Sequence, residues 1–153
     1  MRLAKNEHQT PEFTQINPLR QVPALLEVNE SDGEDRFTLR ESHAIMRYLC
    51  STHGQPQNLY SADNHIRGKT DQYLDWAHTW LRASSNRLVF LRYFTELRGQ
   101  NLSAEKKAAD IAQVEEKVQT SLDLIENMLV DSLFLASNLE PTLADLSAIC
   151  DIT

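Results

Sequence analysis

The pattern of apolar and polar residues changes near residue 63. Before it, two short runs typical of β-strands, Ala24–Val28 and Arg36–Arg40, precede a helical pattern over Ser42–Thr52. This helix should place four apolar residues on one face, namely Ala44, Ile45, Tyr48 and Leu49. The polar segment Asn29–Asp35 between the strands is typical of a solvated hairpin tip. We therefore predict a β-hairpin followed by a helix.

Beyond residue 63 the pattern is helical. The first apolar stripe belongs to a long helix that begins near Asp63 and should end at Gly99, with Ile66, Tyr73, Leu74, Ala77, Leu81, Leu88 and Leu91 on it. A second stripe follows the capping residue Ser103 and comprises Ile111, Val114, Val118, Leu122, Ile125 and Leu129. The short connection between the stripes predicts an antiparallel pair of helices. Both stripes are interpreted as core.

Two further helices are indicated by their first residues. Thr10 and Pro11 should begin a short helix that Asn17-Pro18 ends. Near the end of the chain, Thr142-Leu143-Ala144-Asp145 is a capping box. In this device Thr142 should accept from the N–H of Asp145, and the Asp145 carboxylate should bind back to the N–H of Thr142.

The composition of the chain argues against several classes of binding partner and binding site. The chain of 153 residues has a formal charge of −7, which argues against nucleic acid and anionic membranes as partners. No apolar run approaches the ~20 residues of a membrane span. Cys50 and Cys150 are interpreted as reduced thiols of a cytoplasmic protein. The five histidines lack the spacing of a zinc site, and no glycine-rich phosphate loop is present, so neither a metal nor a cofactor is expected.

Candidate chemistry lies in Glu41-Ser42, at the start of the predicted helix. Ser42 is a good N-cap, and the first helical N–H groups lack internal partners. With the Ser42 hydroxyl and the helix dipole they could bind a carboxylate, while Glu41 could accept from an ammonium group. An α-amino acid end of a ligand would satisfy both. The alternative is that Ser42 is only an ordinary cap.

A second candidate is Val22-Pro23, directly before the first strand. A cis bond here would direct the N–H and C=O of Val22 towards the backbone of a ligand. Alternatively, Pro23 only begins the strand. Because Val22-Pro23 and Glu41-Ser42 flank one predicted hairpin in this order, we favour a ligand clamp over two unrelated structural features.

The motifs Asn17-Pro-x-x-x-Val-Pro-Ala-Leu25 and Glu41-Ser-x-Ala-Ile45 resemble the cytosolic glutathione transferases, and most of all their theta class. The resemblance implies an α+β, thioredoxin-like N-terminal part followed by an all-α helical domain. The corresponding division is a partial glutathione-binding domain over 1–54, a linker over 55–63 and a partial helical domain over 64–153.

The resemblance also implies roles for individual residues. His8 would contact the glycine end of glutathione, although a lone His in polar sequence is otherwise a surface residue. Gln21 stands where the family often has Lys, and Val22, Pro23, Glu41 and Ser42 would bind the rest of the peptide. Trp76-x-x-Thr79-x-Leu81-Arg82 resembles the helix over the active site, so Thr79 and Arg82 would face the second substrate; a solvated Arg is the alternative. Thr142 and Asp145 would form the structural cap.

The implied function is conjugation of the glutathione thiol to a small electrophile, in a homodimer that needs no cofactor. The alternative is a non-catalytic binding or assembly module of the same fold. The Ser that stabilises the thiolate in the family would precede Met1, so this chain is expected to be a fragment of the enzyme with no catalytic residue of its own. We expect no measurable turnover from the chain alone.

Overall fold

The computed structural model describes residues 5–28, 36–53, 59–96, 99 and 102–152, apart from the side chain of Arg36. The expected hairpin tip 29–35, residue 54 and residues 55–58 of the expected linker lie outside these ranges. The chain divides into two compact units, Met1–Pro56 and Gln57–Thr153. Their elements, in chain order, are α1 (Pro11–Ile16), β1 (Ala24–Val28), β2 (Arg36–Arg40), α2 (Ser42–His53), α3 (Asn64–Thr79), α4 (Leu81–Val89), α5 (Ala104–Leu129) and α6 (Leu143–Ile152).

The first unit is the predicted hairpin with helices α1 and α2 packed on it. Thr10 caps α1 by accepting the N–H of Phe13 at 3.3 Å, as its position before Pro11 predicts. Phe13 and Ile45 are the buried apolar side chains of this unit among the described residues. Leu49, which the sequence pattern assigns to the same face of α2 as Ile45, is 36% exposed.

The second unit is helical. α6 packs against α3 and α4, and α4 packs against α5. Its core consists of side chains that are almost fully buried, among them Leu74, Ala77, Leu81, Leu91, Leu143 and Ala144. The first four belong to the first predicted apolar stripe, so the helical period correctly identifies the side of the chain that faces the core.

The expected single long helix from Asp63 to Gly99 is instead two helices and a π-helical turn. The break lies at Trp80, whose backbone angles of φ −111° and ψ −68° depart from helical values. The N–H of Trp80 still bonds to the carbonyl of Trp76, and its own carbonyl accepts from Ser84, so the chain bends without leaving its helical course. The π-helical turn spans Phe90–Phe94 and follows α4 directly.

The capping box at α6 forms, with one difference from the expected pairing. The Asp145 carboxylate accepts the N–H of Thr142 at 2.7 Å, as predicted. The Thr142 hydroxyl oxygen accepts from Ala144 at 3.2 Å rather than from Asp145, and the same hydroxyl donates to Asp145 at 3.0 Å. Asp145 also accepts the N–H of Leu135 at 2.8 Å, which ties the preceding segment to the helix start.

Candidate ligand-binding site

The open end of the hairpin brings two separate motifs together. β1 and β2 are antiparallel, with Ala24 opposite Arg40. Val22–Pro23 leads directly into Ala24, and Glu41–Ser42 directly follows Arg40. Because the two partner residues are neighbours across the sheet, the motifs that flank them lie side by side at this end of the hairpin. The strand register thus brings together the two motifs that the sequence predicts to form a clamp, while their role towards a ligand stays a prediction.

The turn before Val22 is held by the side chain of Asn17, which is 1% exposed. Its Nδ2 donates to the carbonyl of Gln21 at 2.8 Å, and its Oδ1 accepts the N–H of Leu19 at 3.1 Å. The backbone carbonyl of Asn17 accepts from Arg20 at 2.9 Å, and Arg20 has a φ of 56°. One buried amide therefore fixes the path of the chain from α1 to Val22.

The Val22–Pro23 peptide bond is cis, as the sequence motif suggests. Val22 is 42% exposed and Pro23 is also exposed, so both can be reached by a ligand from solvent.

Glu41 has a φ of 70°, in the left-handed region that non-glycine residues seldom adopt. Its carbonyl accepts the N–H of Ile45 at 2.9 Å, and α2 begins at Ser42. The prediction that Ser42 is the N-cap is therefore wrong by one residue, because Glu41 supplies the first acceptor of the helix. Ser42 is the first helical residue and therefore lies at the positive end of the helix dipole.

His8 and Gln21 belong to the same unit as the hairpin. His8 lies in a single 3-10 turn, Glu7–Gln9, and its Nδ1 is buried without a hydrogen-bond partner in the described part of the chain. The side chain of Gln21 is exposed, while its carbonyl accepts from Asn17. Their roles towards a ligand stay predictions.

Thr79 and Arg82 belong to the helical unit. The Thr79 hydroxyl donates to carbonyls of its own helix, at 3.2 Å from both Asp75 and Trp76. The Arg82 guanidinium binds both carboxylate oxygens of Asp151 on α6, with Nε 2.8 Å from Oδ1 and an Nη atom 3.3 Å from Oδ2. Arg82 thus joins α4 to α6. That Thr79 and Arg82 also face a substrate stays a prediction.

Sequence reasoning missed a polar contact between α2 and the hairpin. The Tyr48 hydroxyl donates to Glu27 at 2.6 Å, and Nε2 of His53 lies 3.3 Å from the same carboxylate. The hydrogen bond from Tyr48 is the main reason why the pKa of Glu27 is lowered, and it raises the pKa of Tyr48 in turn. Phe37 packs on the Tyr48 ring, with centroids 4.9 Å apart. No local sequence signal links these residues.

Within the described ranges, no group of three or more His, Cys, Asp or Glu residues is arranged to hold a metal ion. The helices described also include none with the length and apolar character that a membrane span requires.

The comparisons agree with this geometry. Residues 2–52 match the family model for the glutathione S-transferase N-terminal domain. Glutathione S-transferase theta-1 of Homo sapiens is 34% identical over 151 residues, and that of Rattus norvegicus is 36% identical over 151 residues. Each alignment covers 98% of this chain. Over nearly its whole length, the chain is similar to theta-class glutathione transferases.

The structural comparison extends this result to the fold. Human glutathione transferase theta-2, solved in complex with glutathione and an unknown ligand, superposes with a TM-score of 0.81 at 29% identity. The match covers 99% of this chain and 58% of that one. The chain likewise spans 58% of the length of the two theta-1 relatives. The glutathione transferase architecture, an N-terminal sheet-containing part followed by helices, is therefore confirmed for this theta-like chain.

Proposed function

We propose that the open end of the hairpin binds glutathione by its γ-glutamyl end, and that the whole protein is a glutathione transferase. The observation that carries the proposal is the pairing of Ala24 with Arg40, which sets Val22–Pro23 beside Glu41–Ser42. The similarity to theta-class relatives supports it, since they match almost the entire chain.

Each part of the clamp has a chemical role. The Ser42 hydroxyl and the N–H groups of the first turn of α2 donate to the γ-glutamyl carboxylate, which the helix dipole also stabilises. The Glu41 carboxylate accepts from the α-ammonium group. The backbone of Val22 pairs with the backbone of the ligand. These contacts use both charged groups of an α-amino acid end, which favours this end of glutathione over a simple carboxylic acid.

We assign weaker contacts to the glycine end of glutathione. His8 and Gln21 donate to the glycine carboxylate. Because the amide of Gln21 is neutral, this contact is weaker than one from the Lys that the family often has there. We assign no thiol-activating role to any of these residues. The clamp therefore binds and orients glutathione but does not carry out the chemical step.

The reaction proposed for the whole protein is attack of the glutathione sulfur on a small electrophile, with no cofactor. Arg82 and Thr79 are proposed to face the electrophile. The guanidinium of Arg82 would then contact the electrophile while it stays hydrogen-bonded to Asp151. A cytoplasmic homodimer is part of the same proposal. No observation in the structure favours the non-catalytic alternative.

Retention on immobilised glutathione, followed by an assay with a generic aromatic electrophile, tests this function in the whole protein. We expect retention, elution by free glutathione, and turnover at rates typical of enzymes, about 1 per second or faster. Elution by the γ-glutamyl-cysteine dipeptide but not by cysteinyl-glycine would place the clamp at the γ-glutamyl end. Flow-through without retention would contradict glutathione binding, and retention without turnover would favour the binding-module alternative.

A further inference from the structure

An ion pair in the helical unit joins Arg82 of α4 to Asp151 of α6 and is largely shielded from solvent. Nε of Arg82 lies 2.8 Å from Oδ1 of Asp151, and an Nη atom lies 3.3 Å from Oδ2. The two side chains are 21% and 6% exposed, respectively. Because a contact through two pairs of atoms fixes the plane of a guanidinium, Asp151 sets both the orientation of Arg82 and the charge that Arg82 presents to a ligand.

A second arginine of α4 shows how much the burial of this pair matters. Arg87 lies 3.9 Å from Asp110 of α5, and these side chains are 47% and 31% exposed. Water and dissolved salt screen a pair at that exposure, so its charges act weakly on their surroundings. The carboxylate of Asp151 is screened far less. Its attraction for Arg82 and its repulsion of any other anion therefore both remain strong.

Further polar groups surround this ion pair in the core. The Ser147 hydroxyl, in a residue that is 1% exposed, lies 3.4 Å from the same Nη atom and 3.5 Å from Oδ2 of Asp151. Burial is the main cause that raises the pKa of Tyr73, and the negative charges of Asp151 and Asp145 raise it further. Arg82 lowers this pKa by less than either carboxylate raises it. At Tyr73, the two carboxylates therefore outweigh the guanidinium.

These charges distinguish anionic from uncharged molecules at Arg82. An anion that approaches Arg82 meets a guanidinium whose charge is already paired with Asp151, and a second carboxylate, Asp145, acts on the same part of the core. Like charges that are brought together with little screening repel each other. An uncharged molecule meets no such repulsion, and its polar atoms can still be polarised by the guanidinium. The arrangement therefore favours uncharged molecules.

We propose that Asp151 is a specificity-determining residue of the electrophile site, and that by neutralising Arg82 it favours uncharged electrophiles over anionic ones. The inference rests on the proposed function, since it needs Arg82 to face the electrophile. In that reaction an electron pair of the glutathione sulfur forms a C–S bond, the leaving group departs with the electrons of its own bond to carbon, and the thiol proton passes to solvent. Asp151 takes no part in these steps and acts through Arg82 on the choice of substrate.

A matched pair of electrophiles tests the inference in the whole protein. Methyl 4-(chloromethyl)benzoate is uncharged, whereas 4-(chloromethyl)benzoate is an anion at neutral pH, and both react with the glutathione thiol by loss of chloride. The measured quantity is the ratio of kcat/KM for the ester to kcat/KM for the acid. Since the same two molecules also react without enzyme, the ratio of the uncatalysed rate constants gives their intrinsic preference. We expect the parent protein to exceed that preference at least about tenfold.

Variants of Asp151 then show whether its charge is the cause. Asp151→Asn should lower the ratio at least about fivefold, because Arg82 is then uncompensated and attracts the carboxylate of the acid. Asp151→Glu keeps the charge and should keep a ratio close to that of the parent protein. Asp131→Asn removes an exposed carboxylate before α6 and should leave the ratio unchanged. A loss of packing alone would lower the turnover of both electrophiles and would not change their ratio.

The outcomes separate this inference from the proposed function. Turnover of the ester with a ratio that is equal in Asp151→Asn and the parent protein would overturn the inference but not the proposed function. The absence of turnover with either electrophile in the parent protein would overturn both. The ratio in the parent protein needs no variant, so it tests the inference even where Asp151→Asn does not fold. A parent ratio no greater than that of the uncatalysed reaction would overturn it.

Discussion

The Tyr48 hydroxyl lies 2.6 Å from Oε2 of Glu27 and joins the middle of α2 to the first strand of the hairpin. The same helix begins with Ser42, and the same hairpin begins after Pro23. This hydrogen bond therefore connects the two elements that carry the two halves of the proposed clamp.

The first prediction concerns the charge on Glu27. In Tyr48→Phe the pKa of Glu27 should rise towards its ordinary value, because the hydrogen bond from Tyr48 is the main cause of its lowering. Carboxyl chemical shifts followed by NMR over an acid titration measure this directly. His53→Gln is the comparison variant and should also raise the pKa of Glu27, since the hydrogen bond and the charge of His53 each lower it, each by less than the hydrogen bond from Tyr48. A pKa of Glu27 that is equal in Tyr48→Phe and the parent chain would contradict the assignment.

The hydrogen-bonded pair of Tyr48 and Glu27 should also make the free energy of unfolding depend on pH. The lowered pKa of Glu27 stabilises the fold above the ordinary glutamate value near 4.3, and this contribution is lost as the pH falls through the folded-state pKa. The raised pKa of Tyr48 stabilises the fold below about 10, and this contribution is lost as the pH rises through its folded-state pKa. Urea unfolding of Glu27→Gln should therefore show a smaller loss of stability as the pH falls from about 6 to about 3. An equal loss in the variant and the parent chain over this range would contradict the account.

The second prediction concerns the turn before the clamp. Asn17→Ala should lower the free energy of unfolding by about 2 kcal/mol, because two hydrogen bonds of a buried amide are lost. It should also weaken glutathione binding, since the path of the chain into Val22 is no longer fixed. Gln15→Ala, at an exposed position of α1, is the control for stability and should change it little. Equal unfolding midpoints for Asn17→Ala and the parent chain would show that the amide does not hold the turn.

The third prediction concerns the start of α6. Asp145→Ala should cost roughly 2–3 kcal/mol in the free energy of unfolding, because the carboxylate accepts from the backbone of both Thr142 and Leu135. Thermal or urea unfolding measures the loss. Asp131→Ala removes an exposed carboxylate from the segment between α5 and α6 and should be close to neutral. A similar small effect of both variants would mean that the capping box adds little to stability.

Local signals in the sequence were sufficient for much of the fold. The hairpin, the cap at Thr10 and the capping box at Thr142 depend on neighbouring residues, and all of them formed. The proximity of Val22–Pro23 and Glu41–Ser42 was predictable for the same reason, because the two motifs flank a hairpin whose register brings them together. The N-cap was not assigned correctly in the same way. Glu41 takes the N-cap position expected of Ser42, and its left-handed conformation is not encoded by any pattern of apolar residues.

Features set by tertiary packing were not predictable in this way. The apolar stripe through Trp80 continues without interruption, so its period gives no sign of the break that the backbone makes there. The pair of Tyr48 with Glu27, and that of Arg82 with Asp151, join residues far apart in sequence.

The central claim is that Glu41–Ser42 binds the γ-glutamyl end of glutathione, and calorimetry of Ser42→Ala in the whole protein tests it most directly. We predict that binding weakens by roughly 1–3 kcal/mol, a factor of about 5 to 150 in Kd, the scale of a lost hydrogen bond to a charged group. Ser51→Ala, at an exposed serine of the same helix, should leave the Kd unchanged. A glutathione affinity of Ser42→Ala equal to that of the parent protein would contradict the account.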